Sequence, residues 1–237
     1  MAAEPTAMVG GSFDPVHLGH LHLVHTVVAS TSYRRFIFVP VARNNFKQDA
    51  NPADAVHRMN MLRMGFDAYA SMYPDDPPLE LIAEDCELKR GGISYTYDTV
   101  KYLYLHYSIK GRLAVVMGDD LVSSLHRWHA YEQLKELVTF VVIRREGSVV
   151  RLDDLGADIV YLENSLLEDS STRIRNRCRE LGESDELGDD IARLMPGEVA
   201  RYVQDCGNIS KGTILFTSYI FNNSARSFAS VLGLQET

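Results

Sequence analysis

Val9-Gly10-Gly11-Ser12-Phe13-Asp14-Pro15-Val16-His17-Leu18-Gly19-His20 reads as a strand end, a glycine turn and the opening of a helix. Glycines let a backbone approach a ligand closely and aim its N–H groups at an anion. The start of a helix just beyond them adds partial positive charge. Two histidines three residues apart can donate to phosphate oxygens as charge builds in a transition state. The stretch therefore suits a cradle that holds a nucleoside triphosphate by its phosphates while one of them is attacked. The plainer alternative is a tight turn with surface histidines. That fits a lone glycine pair better than this ordered set of Ser12, Asp14-Pro15 and both histidines.

Outward from this turn, strand and helix signals alternate. Ala7-Met8-Val9 is a short strand, and Gly19 to Ala29 a helix with Leu21, Val24, Val27 and Val28 on one face. Phe36 to Val41 is a buried strand, followed by a polar loop from Ala42 to Ala50. Asn51-Pro52 predicts an N-cap and a first helical position, with the helix running through Met59, Leu62 and Phe66. After the break at Pro74 to Pro78, Leu79 to Ala83 is a strand and Tyr95 to Tyr107 a helix. Leu113 to Met117 is a continuous apolar strand ending at Gly118-Asp119-Asp120, and Leu121 to Leu134 is mostly helical. Val138 to Ile143 and Ile159 to Tyr161 are strands. Helices follow near Thr172 to Leu181 and Gly197 to Cys206. Continuous apolar strands between amphipathic helices imply an α/β fold. It is expected to be Rossmann-like and doubly wound, with a mainly parallel sheet, helices on both faces and a small C-terminal helical part. Ligands bind such sheets at the carboxyl ends of the strands. One domain over residues 1–207 and an extension over 208–237 are expected.

The chain of 237 residues is 46% hydrophobic and 24% charged, ordinary values for a globular protein. Its formal charge of −8 disfavours nucleic acid as a partner, since that needs a basic surface. No apolar run reaches the roughly 20 residues of a membrane span. The N-terminus lacks the features of a secretory signal, so a cytoplasmic setting is the default. Cys86, Cys178 and Cys206 are too widely spaced for a zinc site and read as free thiols. His22 and His25 lengthen the histidine run, but mixed helix faces and no nearby cysteine favour structural roles over a metal cluster.

Three further constellations carry chemistry. Asp169-Ser170-Ser171-Thr172-Arg173-Ile174-Arg175 opens a helix with good capping residues. Its arginines, with Arg177, stand where the helix dipole disfavours positive charge. A bound polyphosphate resolves that conflict, and the alternative is a solvated face with arginines paired to Glu180 or Glu183. Gly118-Asp119-Asp120 ends a strand with a carboxylate able to accept both hydroxyls of a ribose, and Trp128 can stack on an aromatic ring. Gly91-Gly92-Ile93-Ser94-Tyr95-Thr96 is a glycine turn with hydroxyls at a helix start, suited to an anion or to plain capping. Lys47 in the Asn44–Lys47 loop can reach phosphate.

Together these segments resemble the nucleotidyltransferases with an HxGH motif, and more narrowly the bacterial nicotinate-nucleotide adenylyltransferases, over roughly residues 7 to 207. The resemblance rests on GGSFDPVHLGHL from Gly10, RMNMLRMG from Arg58, GGISYTYDTV from Gly91, GDDLVSSLHRW from Gly118, SSTRIR from Ser170 and PGEVARYV from Pro196. It implies transfer of the adenylyl group of ATP, with Mg²⁺, to nicotinate mononucleotide, releasing pyrophosphate. It also implies roles for individual residues. Gly10, Gly11, Ser12, Phe13 and Lys47 would line the phosphates, with His17 and His20 stabilising the transferring group. Gly118 would belong to the ATP site, Asp120 would hold the adenosine ribose, and Ser171, Thr172 and Arg175 the triphosphate. Ser94, Tyr95, Thr96, Trp128 and His129 would frame the pyridine mononucleotide. The expected partners are these two nucleotides, with no nucleic acid or membrane, and a homo-oligomer is left open. Nicotinamide mononucleotide is the nearest rival acceptor, and a non-catalytic nucleotide-binding module is the rival from another class. The chain departs from the pattern at Asn45, where many relatives have proline, at Arg145-Glu146-Gly147 in place of Arg-Pro-Gly, and in its longer tail.

Overall fold

The computed structural model describes residues 3–42, 52–145, 148–149, 151–152, 154, 156–164, 171–180 and 187–206. Asn45 and Lys47, the cap expected at Asn51, Asp169, Ser170, Glu146, Gly147 and the tail from 208 to 237 lie outside them, as does the side chain of Arg145.

Among the described residues, the strands β1 (Thr6–Gly11), β2 (Arg35–Pro40), β3 (Glu80–Ala83), β4 (Leu113–Gly118), β5 (Val138–Arg145) and β6 (Asp158–Asn164) form one sheet. Its order is β3-β2-β1-β4-β5-β6, and every neighbouring pair is parallel. The expected α/β fold is present, and its strand order is that of a doubly wound sheet. The helices are α1 (Leu18–Ser30), α2 (Ala55–Met72), α3 (Cys86–Arg90), α4 (Thr96–His106), α5 (Tyr131–Leu137), α6 (Ser171–Glu180), α7 (Asp189–Ala192) and α8 (Gly197–Asp205).

Alternate strand residues feed two cores, as the period of two requires. Ala7, Val9, Phe36, Phe38, Ala114, Val116, Val141 and Ile143 face one cluster, shared with α1, α2, α6 and α8. Met8, Ile37, Val39, Leu113, Val115, Met117, Phe140 and Val142 face the other, covered by α4, α5 and a 3-10 helix over Asp119–Arg127. The α1 face read from the periodicity, Leu21, Val24, Val27 and Val28, is buried as expected.

Two expectations are corrected. The helix placed from Pro52 begins at Ala55, with Asp54 as its N-cap. Ala53 is held off the helix by its own contacts: its N–H donates to Asp14 Oδ2, and its carbonyl accepts from Arg58 Nε. The helix expected over Leu121 to Leu134 is two elements. The 3-10 helix ends at Arg127, Ala130 turns left-handed at φ 53°, and α5 starts at Tyr131. The short helices α3 and α7 were not expected, because four or five residues are too few to show a 3.6-residue period. Among the described residues no helix is long and apolar enough to cross a membrane.

Adjacent β1 and β4 send the chain outward in opposite directions. Their carboxyl ends therefore flank the crevice where doubly wound sheets hold ligands.

Candidate active site

The glycine–histidine turn leaves β1 on one side of this crevice, and Gly118-Asp119-Asp120 leaves β4 on the other. A Cβ on Gly11 would lie 3.0 Å from the Phe13 ring, so the missing side chain is what lets that ring fold back. Phe13 adopts φ 47° and is fully buried, packed 5.4 Å from Phe38 and edge-on to His20 at 5.0 Å. Its ring is therefore core, and only its backbone can line a phosphate. The turn is pinned from below by Arg58, which donates to the carbonyls of Ser12 at 3.1 Å, Val41 at 2.8 Å and Ala53 at 3.0 Å. Val41 N–H in turn donates to the Gly11 carbonyl at 2.9 Å. Arg58 sits in a motif of the resemblance, yet nothing in its sequence surroundings announces this bracing role.

The His17 and His20 rings lie against each other, tilted by 38°, with centroids 3.8 Å apart. The His17 backbone N–H donates to His20 Nδ1 at 3.2 Å, which leaves the neutral His20 ring with its proton on Nε2. His17 Nδ1 is buried and has no hydrogen-bond partner among the described residues. Burial lowers the His17 pKa to about 4. Burial, and then the neighbouring His17, hold His20 well below the ordinary histidine range. Both rings are thus neutral donors at pH 7 in the ligand-free protein. The helix start contributes less than expected, because Leu18 N–H already donates to the Leu194 carbonyl at 2.8 Å.

The arginine-bearing α6 docks on the same turn. Ser171 Oγ donates to the Pro15 carbonyl at 3.0 Å, and Arg175 Nη1 to the Asp14 carbonyl at 2.6 Å. Arg175 Nη2 donates to Thr172 Oγ1 at 3.2 Å, and Thr172 itself is exposed. Arg177 pairs with Glu180 at 3.0 Å, the solvated arrangement weighed for this face. Arg175 and Ser171 are therefore tied to the histidine turn across the fold, with Asp14, 3% exposed, at the junction. The sequence did not mark Asp14 as a hub.

At the β4 end, the Asp120 side chain lies close against Gly118. A Cβ there would lie 2.5 Å from Asp120 Oδ1, so the exposed carboxylate folds back over the strand end. Farther along, Tyr95, the N-cap of α4, lies 4.4 Å from the His129 ring, and Tyr97 meets the same ring edge-on at 6.3 Å. This brings the Ser94-Tyr95-Thr96 segment next to Trp128-His129. Ser94 Oγ and Trp128 Nε1 are buried with no hydrogen-bond partner among the described residues. The α4 start also lacks a side-chain cap. His22 and His25 are structural: His22 Nδ1 meets Tyr73 Oη at 3.1 Å, and His25 Nδ1 meets both Asp76 carboxylate oxygens at 3.0 Å. Among the described residues no three His, Cys, Asp or Glu side chains converge on a metal position. Neutral histidine donors, a cross-strand carboxylate and an anchored arginine can bind and stabilise a transferring phosphoryl group without a protein nucleophile.

Residues 8–177 match the cytidylyltransferase-like family. The chain is 36% identical over 211 residues to the probable nicotinate-nucleotide adenylyltransferase of Treponema pallidum (strain Nichols), spanning 83% of this chain and 95% of that one. The probable nicotinate-nucleotide adenylyltransferase of Dehalococcoides mccartyi is 30% identical over 215 residues, 87% of this chain and 98% of its own. Among solved structures, Plasmodium falciparum nicotinic acid mononucleotide adenylyltransferase complexed with NaAD superposes with a TM-score of 0.61. It is 19% identical and covers 84% of this chain and 94% of its own. At that identity the likeness supports the fold.

Proposed function

Because the chain belongs to the cytidylyltransferase-like family, and within it to the nicotinate-nucleotide adenylyltransferases, we propose that it transfers the adenylyl group of ATP to nicotinate mononucleotide. The products are nicotinate adenine dinucleotide and pyrophosphate, a step of NAD biosynthesis. The observation that carries this reading is the close, neutral His17–His20 pair just beyond β1, with Asp120 just beyond the adjacent parallel strand β4.

An oxygen of the mononucleotide phosphate attacks the α-phosphorus in line. A new P–O bond forms as the bond to the bridging α,β-oxygen breaks, and pyrophosphate leaves with the electron pair. The attacking phosphate is already anionic at neutral pH, so no protein base or covalent intermediate is needed. The chain supplies position and charge stabilisation. His20 Nε2–H and the His17 ring donate to the oxygens of the group in flight. Gly10, Gly11, Ser12 and the Phe13 backbone line the phosphates, and Asp120 accepts the ribose hydroxyls. Arg175 and Thr172 face the triphosphate from α6, with Ser171 locking that helix to Pro15. Ser94, Tyr95, Thr96, Trp128 and His129 frame the acceptor. Mg²⁺ carried on ATP would neutralise charge on the triphosphate, needing few protein ligands of its own.

The test is pyrophosphate release from MgATP, run in parallel with nicotinate and nicotinamide mononucleotides. Turnover with the nicotinate form supports the proposal. Turnover with the nicotinamide form alone would move the specificity, and none with either would overturn the activity.

A further inference from the structure

Glu87 is a buried carboxyl group that the proposed chemistry does not use. It lies in α3 with 6% of its surface exposed. One oxygen, Oε1, accepts a 2.6 Å hydrogen bond from Thr99 Oγ1, which is itself fully buried in the first turn of α4. The other, Oε2, has no partner among the described residues. Burial pushes the carboxyl above the ordinary carboxylate range. Burying such a group is unfavourable, and an apolar side chain here would pack without that cost.

What the contact does is set by what lies between its ends. Gly91 and Gly92 follow α3 with φ of 66° and 67°, and the exposed Ile93 comes next. Glu87 anchors this turn twice: its backbone carbonyl accepts from Gly91 N–H at 2.9 Å, and its side chain reaches over the turn to Thr99. The turn ends in Ser94, Tyr95 and Thr96, and Tyr95 carries the contact to His129. The glycines themselves leave the turn loosely specified.

We propose that Glu87 is a positioning residue for the mononucleotide acceptor. Acting through Thr99, it holds the Gly91–Tyr95 turn and the first turn of α4 against the Trp128-His129 segment, without touching substrate. This rests on the acceptor reading above.

The test is steady-state kinetics on the full chain. Glu87→Ala is expected to raise the KM for nicotinate mononucleotide at least about 10-fold, with kcat and the KM for ATP changed less than about twofold, as for a lost ground-state contact. Glu87→Gln keeps the acceptor oxygen for Thr99 and is expected to stay within about threefold of wild type. Thr99→Val, nearly isosteric, is expected to reproduce the Glu87→Ala split, and the double variant to be no worse than either single one. If Glu87→Ala does not fold, Thr99→Val carries the test. Wild-type turnover of nicotinate mononucleotide with an unchanged acceptor KM in Thr99→Val overturns the inference alone. So do KM values for both substrates rising together. Absence of wild-type turnover overturns the function and this inference with it.

Discussion

Gly118→Ala separates ribose binding from folding. Gly118 has φ −76° and ψ 158°, a region open to alanine, so the backbone imposes no penalty. The new Cβ falls 2.5 Å from Asp120 Oδ1, and the carboxylate must withdraw until the contact exceeds 3.0 Å. The atom that moves is the far end of an exposed side chain, so stability is expected to change by less than about 1 kcal/mol. A hydrogen bond to a charged group contributes about 1.5–3 kcal/mol. Misplacing the carboxylate by one such bond raises the KM for ATP by about 10- to 100-fold. The loss is shared by ground and transition states, so kcat is expected to hold within about threefold. Initial rates of pyrophosphate release against ATP, at saturating mononucleotide, measure this. Gly118→Ala combined with Asp120→Ala is expected to be no worse than Asp120→Ala alone. An ATP KM within twofold of wild type, or an equal rise in the mononucleotide KM, would refute the assignment of Asp120 to the ribose.

His20→Ala is expected to lower kcat at least about 10²-fold in the same assay, the usual loss for one preorganised donor, and near-wild-type turnover would remove His20 from the mechanism. The ligand-free protein is expected to lose stability as pH falls. The folded-state pKa of His17 is depressed, so its contribution is complete above the unfolded value near 6.5 and is lost as pH drops towards about 4. The loss amounts to about 3 kcal/mol, and urea unfolding at pH 7 and pH 4.5 should show His17→Asn losing less over that interval than wild type. Arg58→Leu leaves the carbonyls of Ser12, Val41 and Ala53 without their donor and is expected to cost about 3 kcal/mol or more in urea unfolding. Chelating divalent metal is expected to abolish pyrophosphate release and added Mg²⁺ to restore it, and full turnover under chelation would contradict the MgATP reading.

What could be read from the sequence was periodic or local. The strand runs expose their burial directly: an unbroken apolar segment such as Leu113 to Met117 has no polar face to turn to water, so both faces must be covered. The α1 face followed from spacing alone. What stayed hidden depends on partners far along the chain. The helix α2 starts after Asp54 rather than at Pro52, with Asp14 and Arg58 holding Ala53 in another direction. Leu18 N–H is occupied by a carbonyl in the C-terminal segment, and no local pattern signals that. Candidate site residues could be proposed by type and order. Their division of labour was not. Phe13 and Ser171 stood in the motifs as ligand contacts, but the fold uses the Phe13 ring as core and the Ser171 hydroxyl as a strut.

In the proposed mechanism, that division would let an acidic chain serve an anionic substrate. Two protonated imidazoles at the 3.8 Å separation of His17 and His20 would repel by roughly 4 kcal/mol at an effective dielectric constant of 20. Burial keeps both rings neutral instead, so the pair stands assembled as donors before any phosphate is present. Arg175 is held by the Asp14 carbonyl and lies near the Asp14 carboxylate, with Nε 4.0 Å from Oδ2, so its charge too is oriented in advance. The tie of His20 Nδ1 to the His17 backbone fixes which His20 nitrogen bears the proton, so that ring need not rotate when the phosphoryl group moves. A transfer that needs no protein nucleophile gains most from donors that pay no reorganisation cost during the reaction. The braces beneath the turn, Arg58, Asp14, Ser171 and the Leu194 carbonyl, are what hold those donors still.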